Sequence, residues 1–183
     1  LHCEATVYFL NKGVHVLVEK PMANTFEECD RMISAAEKNG VKLAVGHIQR
    51  FFDANIKLKE IIESEKYGKL CMITEDRNVY YFNENRPLWF LDKKQAGGGI
   101  VMNYMAHTLD KIFYLLDNKI MRVSSHYANF LEGYNVEGNA QILLKLEGGI
   151  SASMTFCGYN TPSFYETVYY FTNGAVKVVD TND

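Results

Sequence analysis

Two short groups of polar residues have the types and spacing that acid–base chemistry requires. The first is a Glu-Lys-Pro segment at 19–21, directly after an apolar run. The second comprises Asn103, His107 and Asp110, which recur at intervals of four and three and therefore share one face of a predicted helix. A lysine after a strand is commonly just solvated, and a lone helical histidine is more often structural than catalytic. Neither group identifies a site by itself.

The elements that position residues 19–21 alternate between helix and strand. The pattern predicts a helix that ends near Leu10, a strand at 14–18, a helix at 26–39 with Met32, Ile33 and Ala36 inward, and a strand at 41–45. Thr25 and Glu28 have the spacing of a helix capping box. This order predicts parallel strands joined by helical crossovers, as in a doubly wound sheet. Ligands bind beyond the carboxyl ends of such strands, where residues 19–21 fall.

After residue 50 the pattern is mostly that of an antiparallel sheet. The predicted helices are 51–64 and 100–116, and the predicted strands are 69–81, 121–130, 140–146, 150–156, 165–171 and 175–179. The apolar stripe predicted for the second helix is Val101, Met105, Leu109, Ile112 and Leu116. The glycine triplet at 97–99 is predicted to leave the amides at the start of this helix accessible. The fold class is therefore α/β followed by α+β.

Composition and charge argue against several classes of function. The chain has 19 basic and 22 acidic residues, interspersed, which disfavours nucleic acid and anionic membranes as partners. No apolar stretch approaches the roughly 20 residues of a membrane span. The four cysteines show neither zinc-site nor disulfide spacing, so no metal is expected and a reduced, cytoplasmic setting is predicted. The chain begins at Leu1 inside an amphipathic pattern, which indicates a piece of a longer protein.

Together, the motifs resemble the glucose–fructose oxidoreductase / inositol dehydrogenase / MocA (Gfo/Idh/MocA) family. The matching segments are EKP at 19–21, VGHIQRF at 45–51, PLWFLD at 87–92 and GGGxxxNxxxH at 97–107. The resemblance covers nearly the whole chain. It implies the late part of a Rossmann-type dinucleotide-binding domain at 1–48 and an open-sheet substrate-binding and oligomerisation domain at 49–183. It further implies NAD or NADP as cofactor, a sugar, inositol or related polyol as substrate, and a homodimer or homotetramer formed through the C-terminal sheet.

The resemblance also implies roles for individual residues. Lys20 orients the reacting hydroxyl beside the nicotinamide, Pro21 fixes the turn through a cis peptide bond, and His107 is the base for the hydroxyl proton. The implied cofactor-side contacts are Glu19, Lys20, Pro21 and Arg50. The predicted substrate wall is Asn103 with Tyr80, Arg77 and Trp89. The last three are placed there by their position ahead of the glycines, and core or surface positions are equally compatible with their types.

Two departures from the family pattern leave an alternative open. Asn103 stands where most members have Asp, and an amide brings no negative charge to a protonated histidine, so Asp110 is the predicted carboxylate. The chain also contains no GxGxxG and no acidic residue placed to bind the ribose, which leaves NAD against NADP open.

The alternative is an inactive, truncated module that dimerises through a tyrosine-rich sheet face. The candidates for that face are Tyr127, Tyr159, Tyr165, Tyr169 and Tyr170. An unrelated α+β binding domain would require three motifs to match by coincidence.

Overall fold

A computed structural model describes residues 2–180, and the chain separates into two compact units, Leu1–Ile48 and Gln49–Asp183. The first unit contains α1 (His2–Leu10), β1 (Val16–Val18), α2 (Phe26–Asn39) and β2 (Leu43–Val45). Strands β1 and β2 are parallel, with Leu17 opposite Ala44. The predicted parallel pair with a helical crossover is thus confirmed.

Helix α2 begins and ends where its local sequence predicts. The Thr25 hydroxyl accepts a hydrogen bond from the Glu28 amide at 3.2 Å, and the Glu28 carboxylate accepts one from the Asn24 amide at 3.0 Å. Gly40 ends the helix at a φ of 63°, a conformation that glycine adopts without strain. Met32 is fully buried, but Ile33, predicted to be inward, is 43% exposed. It lies about 100° around the helix from Met32, away from the buried side.

The second unit is a mixed sheet of six strands with helices against one face. Its helices are α3 (Asp53–Glu63), α4 (Lys93–Ala96) and α5 (Ile100–Leu116), and its strands are β3 (Leu70–Asn78), β4 (Ile120–Ala128), β5 (Asn139–Leu146), β6 (Ser151–Cys157), β7 (Phe164–Phe171) and β8 (Gly174–Asp180). Short 3₁₀ helices lie at Ile48–Phe51 and Leu88–Leu91. The strand order is β4-β5-β6-β3-β7-β8, and every pair is antiparallel except β3 with β6.

The two faces of this sheet differ in composition. Alternate residues such as Ile73, Leu144 and Phe156 are buried and form one core with Met105 and Ile112 of α5. The opposite face carries mostly polar or half-exposed side chains. These include Thr74, Lys145, Ser153, Thr155 and Val168.

The predicted tyrosine-rich open face is wrong. The strand period of two places Tyr169 in the core, 2% exposed, and its neighbour Tyr170 on the opposite face. Tyr165 pairs with Arg77, and Tyr127 pairs with Ala140, so both belong to the helix-facing register. Tyr159 follows β6, outside the strands. The open face is thus polar and mixed, with a single one of these tyrosines on it.

The cysteines and the helices bear on two further predictions. Cys3, Cys29, Cys71 and Cys157 all have free thiols, and burial raises the pKa of the Cys3 thiol. Within residues 2–180, no helix has both the length and the apolar character needed to cross a membrane.

Candidate active site

The carboxyl edge of β1 and β2 carries the first candidate group. The peptide bond between Lys20 and Pro21 is cis, as predicted, and the Pro21 carbonyl lies 2.9 Å from Nδ1 of His2. Beyond β2, the Gly46 amide donates to the Val18 carbonyl at 2.8 Å. A Cβ on Gly46 would lie 3.5 Å from the Glu19 carboxylate. The two strand ends therefore place Glu19, the cis turn and a side-chain-free backbone at one edge.

Helix α5 carries the second candidate group. Asn103 and His107 are half-buried one helical turn apart, and Asp110 is 6% exposed. The Asp110 carboxylate accepts hydrogen bonds from Nε of Arg50 at 3.0 and 2.9 Å and a further one from Nη2. This hydrogen-bonded pair raises the pKa of Arg50. Arg50, predicted from the resemblance as a cofactor-side contact, is thus hydrogen-bonded to α5 through Asp110. The Asp110 carboxylate forms an ion pair with the Arg50 guanidinium.

The amides at the start of α5 are not accessible, so that prediction is wrong. Oε1 of Glu137 accepts from the amides of Gly99, Val101 and Met102 at 2.7, 3.1 and 3.2 Å. A Cβ on Gly99 would lie 2.3 Å from the Glu137 carbonyl oxygen, and one on Gly98 would lie 3.2 Å from its carboxylate. The glycines therefore make room for Glu137, which occupies the anion site of the helix from within the chain. No local spacing in the sequence signals a contact between residues this far apart.

A buried ionic network that the sequence did not reveal links α5 to β3 and β7. Glu75 and Lys111 are 2% and 4% exposed, and Nζ of Lys111 donates to Oε2 of Glu75 at 2.9 Å. The Thr108 hydroxyl donates to Oε1 of the same carboxylate, and the Thr167 hydroxyl lies 3.3 Å from Oε2. Burial by itself would raise the pKa of the Glu75 carboxyl, but the Lys111 charge and the Thr108 hydroxyl outweigh it, and the pKa lies below its ordinary value.

Beside this network, two arginines stack on aromatic rings. The guanidinium carbon of Arg77 lies 3.6 Å from the Tyr165 ring centroid and 4.4 Å from that of Tyr104. The guanidinium carbon of Arg86 lies 3.9 Å from the Tyr81 centroid. The Tyr81 and Tyr104 rings meet edge to face at 6.3 Å. Arg77, one of the predicted substrate-binding residues, therefore contacts Tyr104, which follows Asn103 in the chain.

The hydroxyl of Tyr81 reflects its position in this cluster. Burial raises the pKa of Tyr81 to about 12, while the Arg86 charge and the Asn103 side chain act in the opposite direction. Of the other predicted wall residues, Trp89 is 44% exposed and stacks on Phe90 with centroids 3.7 Å apart. Tyr80 is 39% exposed, beyond the end of β3.

These features define a class of fold, a Rossmann-type parallel α/β unit in a chain with a separate open-sheet unit. A model of the NAD-binding Rossmann fold of the GFO/IDH/MocA oxidoreductase family matches residues 1–47, and a model of that family's C-terminal domain matches residues 55–177. The chain belongs to the GFO/IDH/MocA family of oxidoreductases.

Individual relatives agree with this assignment. A 1-carboxy-3-chloro-3,4-dihydroxycyclohexa-1,5-diene dehydrogenase from Comamonas testosteroni is 37% identical over 150 residues, which cover 82% of this chain and 38% of the relative. The WlbA dehydrogenase of Bordetella pertussis, solved with NADH and UDP-GlcNAcA, has a TM-score of 0.85 at 25% identity and covers 98% of this chain. An inositol dehydrogenase homologue from Azotobacter vinelandii, solved with NAD+, shares the fold with a TM-score of 0.87 at 20% identity and 98% coverage. This chain spans 53% and 49% of those two solved chains.

Proposed function

We propose that this chain is part of an NAD(P)-dependent dehydrogenase that acts on a secondary alcohol of a sugar, inositol or related polyol. The observation that carries the proposal is the half-buried pair Asn103 and His107 on α5, in a chain that matches both domain models of an oxidoreductase family. Residues 1–48 would be the cofactor-side domain, and residues 49–183 the substrate-binding domain.

The residues of the β1/β2 edge fit the nicotinamide end of a dinucleotide. Glu19, Lys20 and Pro21 follow β1 at the carboxyl edge, and Gly46 presents backbone there. The cofactor, when bound, supplies the acceptor or donor of the hydride. Lys20 would donate a hydrogen bond to the reacting oxygen and stabilise its developing negative charge. The glycine-rich turn that would bind the pyrophosphate is not among the 183 residues.

On α5, His107 would take the hydroxyl proton during oxidation and return it during reduction. Asn103 would orient the substrate through its amide, as both donor and acceptor. Arg50 would remain a cofactor-side residue held in place by Asp110. Tyr80, Arg77 and Trp89 would contribute to the substrate wall. A homodimer or homotetramer would use the open face of the six-stranded sheet.

The test is oxidation of a panel of polyols and sugars with NAD and with NADP by the complete dehydrogenase of which this chain is proposed to be part, monitored by reduced-nicotinamide absorbance. We expect His107→Ala and Lys20→Ala to lower kcat/KM by about 10² to 10⁴. The matched controls are His126→Ala on exposed β4 and Lys42→Ala ahead of β2, and neither should change the rate. Equal rates in His107→Ala and wild type would refute the assigned base.

The alternative is a substrate and assembly module without catalysis. Titration of the chain with NADH and NADPH, followed by nicotinamide fluorescence, distinguishes the two. Saturable binding that Lys20→Ala weakens supports the dehydrogenase. No binding at millimolar cofactor supports the assembly module for this chain.

A further inference from the structure

The cluster of Arg77, Arg86, Tyr81 and Tyr104 contains guanidinium N–H donors that have no acceptor among residues 2–180. Arg77 is 6% exposed, and its Nε is buried without an acceptor among residues 2–180. Nε of the half-buried Arg86 is likewise buried without one. A buried polar group without a hydrogen bond has lost its hydration without compensation, and this cost is larger when the group is charged. Both groups belong to one aromatic cluster, because Arg86 lies over Tyr81, Arg77 lies over Tyr104, and the two rings are in contact. Two unsatisfied guanidinium donors in one cluster are the expected arrangement of a site whose acceptor is a ligand.

The rings that flank the arginines explain how they are held without acceptors. Tyr165 and Tyr104 contact the Arg77 guanidinium at 3.6 and 4.4 Å, so its faces are covered by aromatic carbon. Arg86 lies over Tyr81 at 3.9 Å and toward Phe90 at 5.3 Å. Stacking of this kind leaves the N–H edge of a guanidinium as its free hydrogen-bonding surface. That edge matches the oxygens of a carboxylate or a phosphate.

Nearby acidic groups are already engaged elsewhere. Glu75, whose pKa is influenced by the Arg77 charge, is paired with Lys111 and two threonine hydroxyls. Glu137 accepts from three amides at the start of α5. Within the described part of the chain, neither Arg77 nor Arg86 has a carboxylate at ion-pair distance. The cluster therefore retains positive charge.

We propose that Arg77 and Arg86 bind an anionic oxygen group of the substrate, the carboxylate of a sugar acid or the phosphate of a sugar phosphate. The inference rests on the proposed function for one point, that the face of α5 bearing Asn103 and His107 is the substrate site. It adds the class of substrate: an anionic polyol is preferred to its neutral analogue. Arg86, which sequence reasoning did not select, becomes a specificity residue.

The experiment uses a series of sugars that are similar in structure and differ in charge. The intrinsic fluorescence of Trp89 reports their binding. Trp89 is the single tryptophan of the chain and stacks on Phe90, over which Arg86 lies. D-glucuronate, its methyl ester, D-glucose and D-glucose 6-phosphate would be titrated into the purified protein, with Trp89 fluorescence and calorimetry as readouts. We expect D-glucuronate or D-glucose 6-phosphate to bind at least about tenfold more tightly than the neutral ester and D-glucose. Which of the two binds identifies the group as carboxylate or phosphate.

Variants then assign the preference to the cluster. Arg86→Gln and Arg77→Gln should reduce the ratio of anionic to neutral affinity by about tenfold each, and Arg122→Gln on exposed β4 should leave it unchanged. Arg77 is buried, so Arg86→Gln decides the outcome if the other variant does not fold. Equal affinities for acid and ester in the wild type, or an unchanged ratio in Arg86→Gln, would overturn the proposal.

Turnover with NAD or NADP is measured separately, so the two proposals can fail independently. Anion-selective binding by this chain, with no dehydrogenase activity in the complete protein, would refute the proposed function and retain the anion site. Dehydrogenase activity on neutral polyols without anion selectivity would refute the anion site and retain the proposed function.

Discussion

Two charged clusters lie side by side between β3 and α5, and they differ in how their hydrogen bonds are completed. Around Glu75, the Lys111 ammonium and the hydroxyls of Thr108 and Thr167 all contact one carboxylate. Around Arg77, two positions further along the same strand, the guanidinium is stacked between rings and its Nε has no acceptor among the described residues. Both Glu75 and Arg77 are more than nine-tenths buried.

This difference in hydrogen bonding distinguishes a charged group that stabilises the fold from one that can bind a ligand. A carboxylate whose partners are all supplied by the protein has nothing left to bind, and its removal should affect folding. A guanidinium with free donors contributes less to folding and more to recognition. The comparison therefore predicts large losses of stability at one cluster and small ones at the other.

The largest effect is expected from breaking the Glu75–Lys111 pair. Glu75→Gln leaves the Lys111 ammonium buried without a counter-charge, which should lower the free energy of unfolding by about 3–5 kcal/mol. Urea unfolding followed by circular dichroism measures this loss. Lys111→Met should show a loss of similar size.

The double variant Glu75→Gln/Lys111→Met separates the pair from its surroundings. Because it removes both charges, it should be less destabilised than the sum of the two single variants. Additive losses would show that the two residues are not coupled and would remove the basis for calling this cluster structural.

The pH dependence of stability should follow the same pair. The folded pKa of Glu75 lies below its ordinary value, so its contribution is present above the unfolded pKa and is lost as pH falls through the folded one. Burial by itself would lower the pKa of Lys111, but the Glu75 charge outweighs it and the folded pKa is raised. The Lys111 contribution is therefore lost only as pH rises through that raised value.

The difference in unfolding free energy between wild type and the double variant should be constant from about pH 5 to pH 10 and change outside that range. Unfolding curves at several pH values test this. A difference that changes near pH 7 would assign the dependence to another group.

Parts of the architecture and of the site were predictable because they depend on local signals. Helix α5 begins at Ile100 and ends at Leu116, as its periodicity and the preceding glycines predict. The N-cap hydrogen bond of Thr25 and the left-handed conformation of Gly40, which begin and end α2, also depend only on residues within about one helical turn. The cis bond at Pro21 followed from the family resemblance.

What could not be predicted depends on contacts between distant residues. Val101 of the predicted α5 stripe is only partly buried, whereas Thr108 and Lys111 lie deep, because Glu75 on β3 provides their partner. Glu75 and Arg77 share the core-facing register of Ile73, a period of two that was visible in the sequence. Their burial depends on Lys111, Tyr104 and Tyr165, which the sequence does not place beside them.

An intermediate effect is expected at the start of α5. Glu137→Ala would leave the amides of Gly99, Val101 and Met102 without their acceptor, at a cost of about 1–3 kcal/mol in unfolding free energy. Glu137→Gln keeps an acceptor oxygen and loses the charge at the helix N-terminus, so its cost should be about 0.3–1 kcal/mol.

Hydrogen exchange of the Val101 and Met102 amides provides the local readout. Their protection should fall in Glu137→Ala, while the exposed neighbour Glu132→Ala should leave it unchanged. Unchanged protection in Glu137→Ala would mean that the amides are satisfied in another way and that the glycine triplet does not serve to admit Glu137.

A small effect, similar in size to that of Glu137→Gln, is expected at Arg86. Its size tests whether the Arg77–Arg86 cluster is needed for folding. Arg86→Gln removes a guanidinium that has aromatic contacts but an unpaired Nε, so the loss should not exceed the roughly 0.5–1 kcal/mol of a cation–π contact. Urea unfolding of this variant beside Arg122→Gln measures it. A loss as large as that of Glu75→Gln would mean that Arg86 is part of the folding core. A loss near that of Arg122→Gln, together with weakened anion binding, would mean that this cluster is maintained for its ligand, since a charge that folding does not need is otherwise costly to bury.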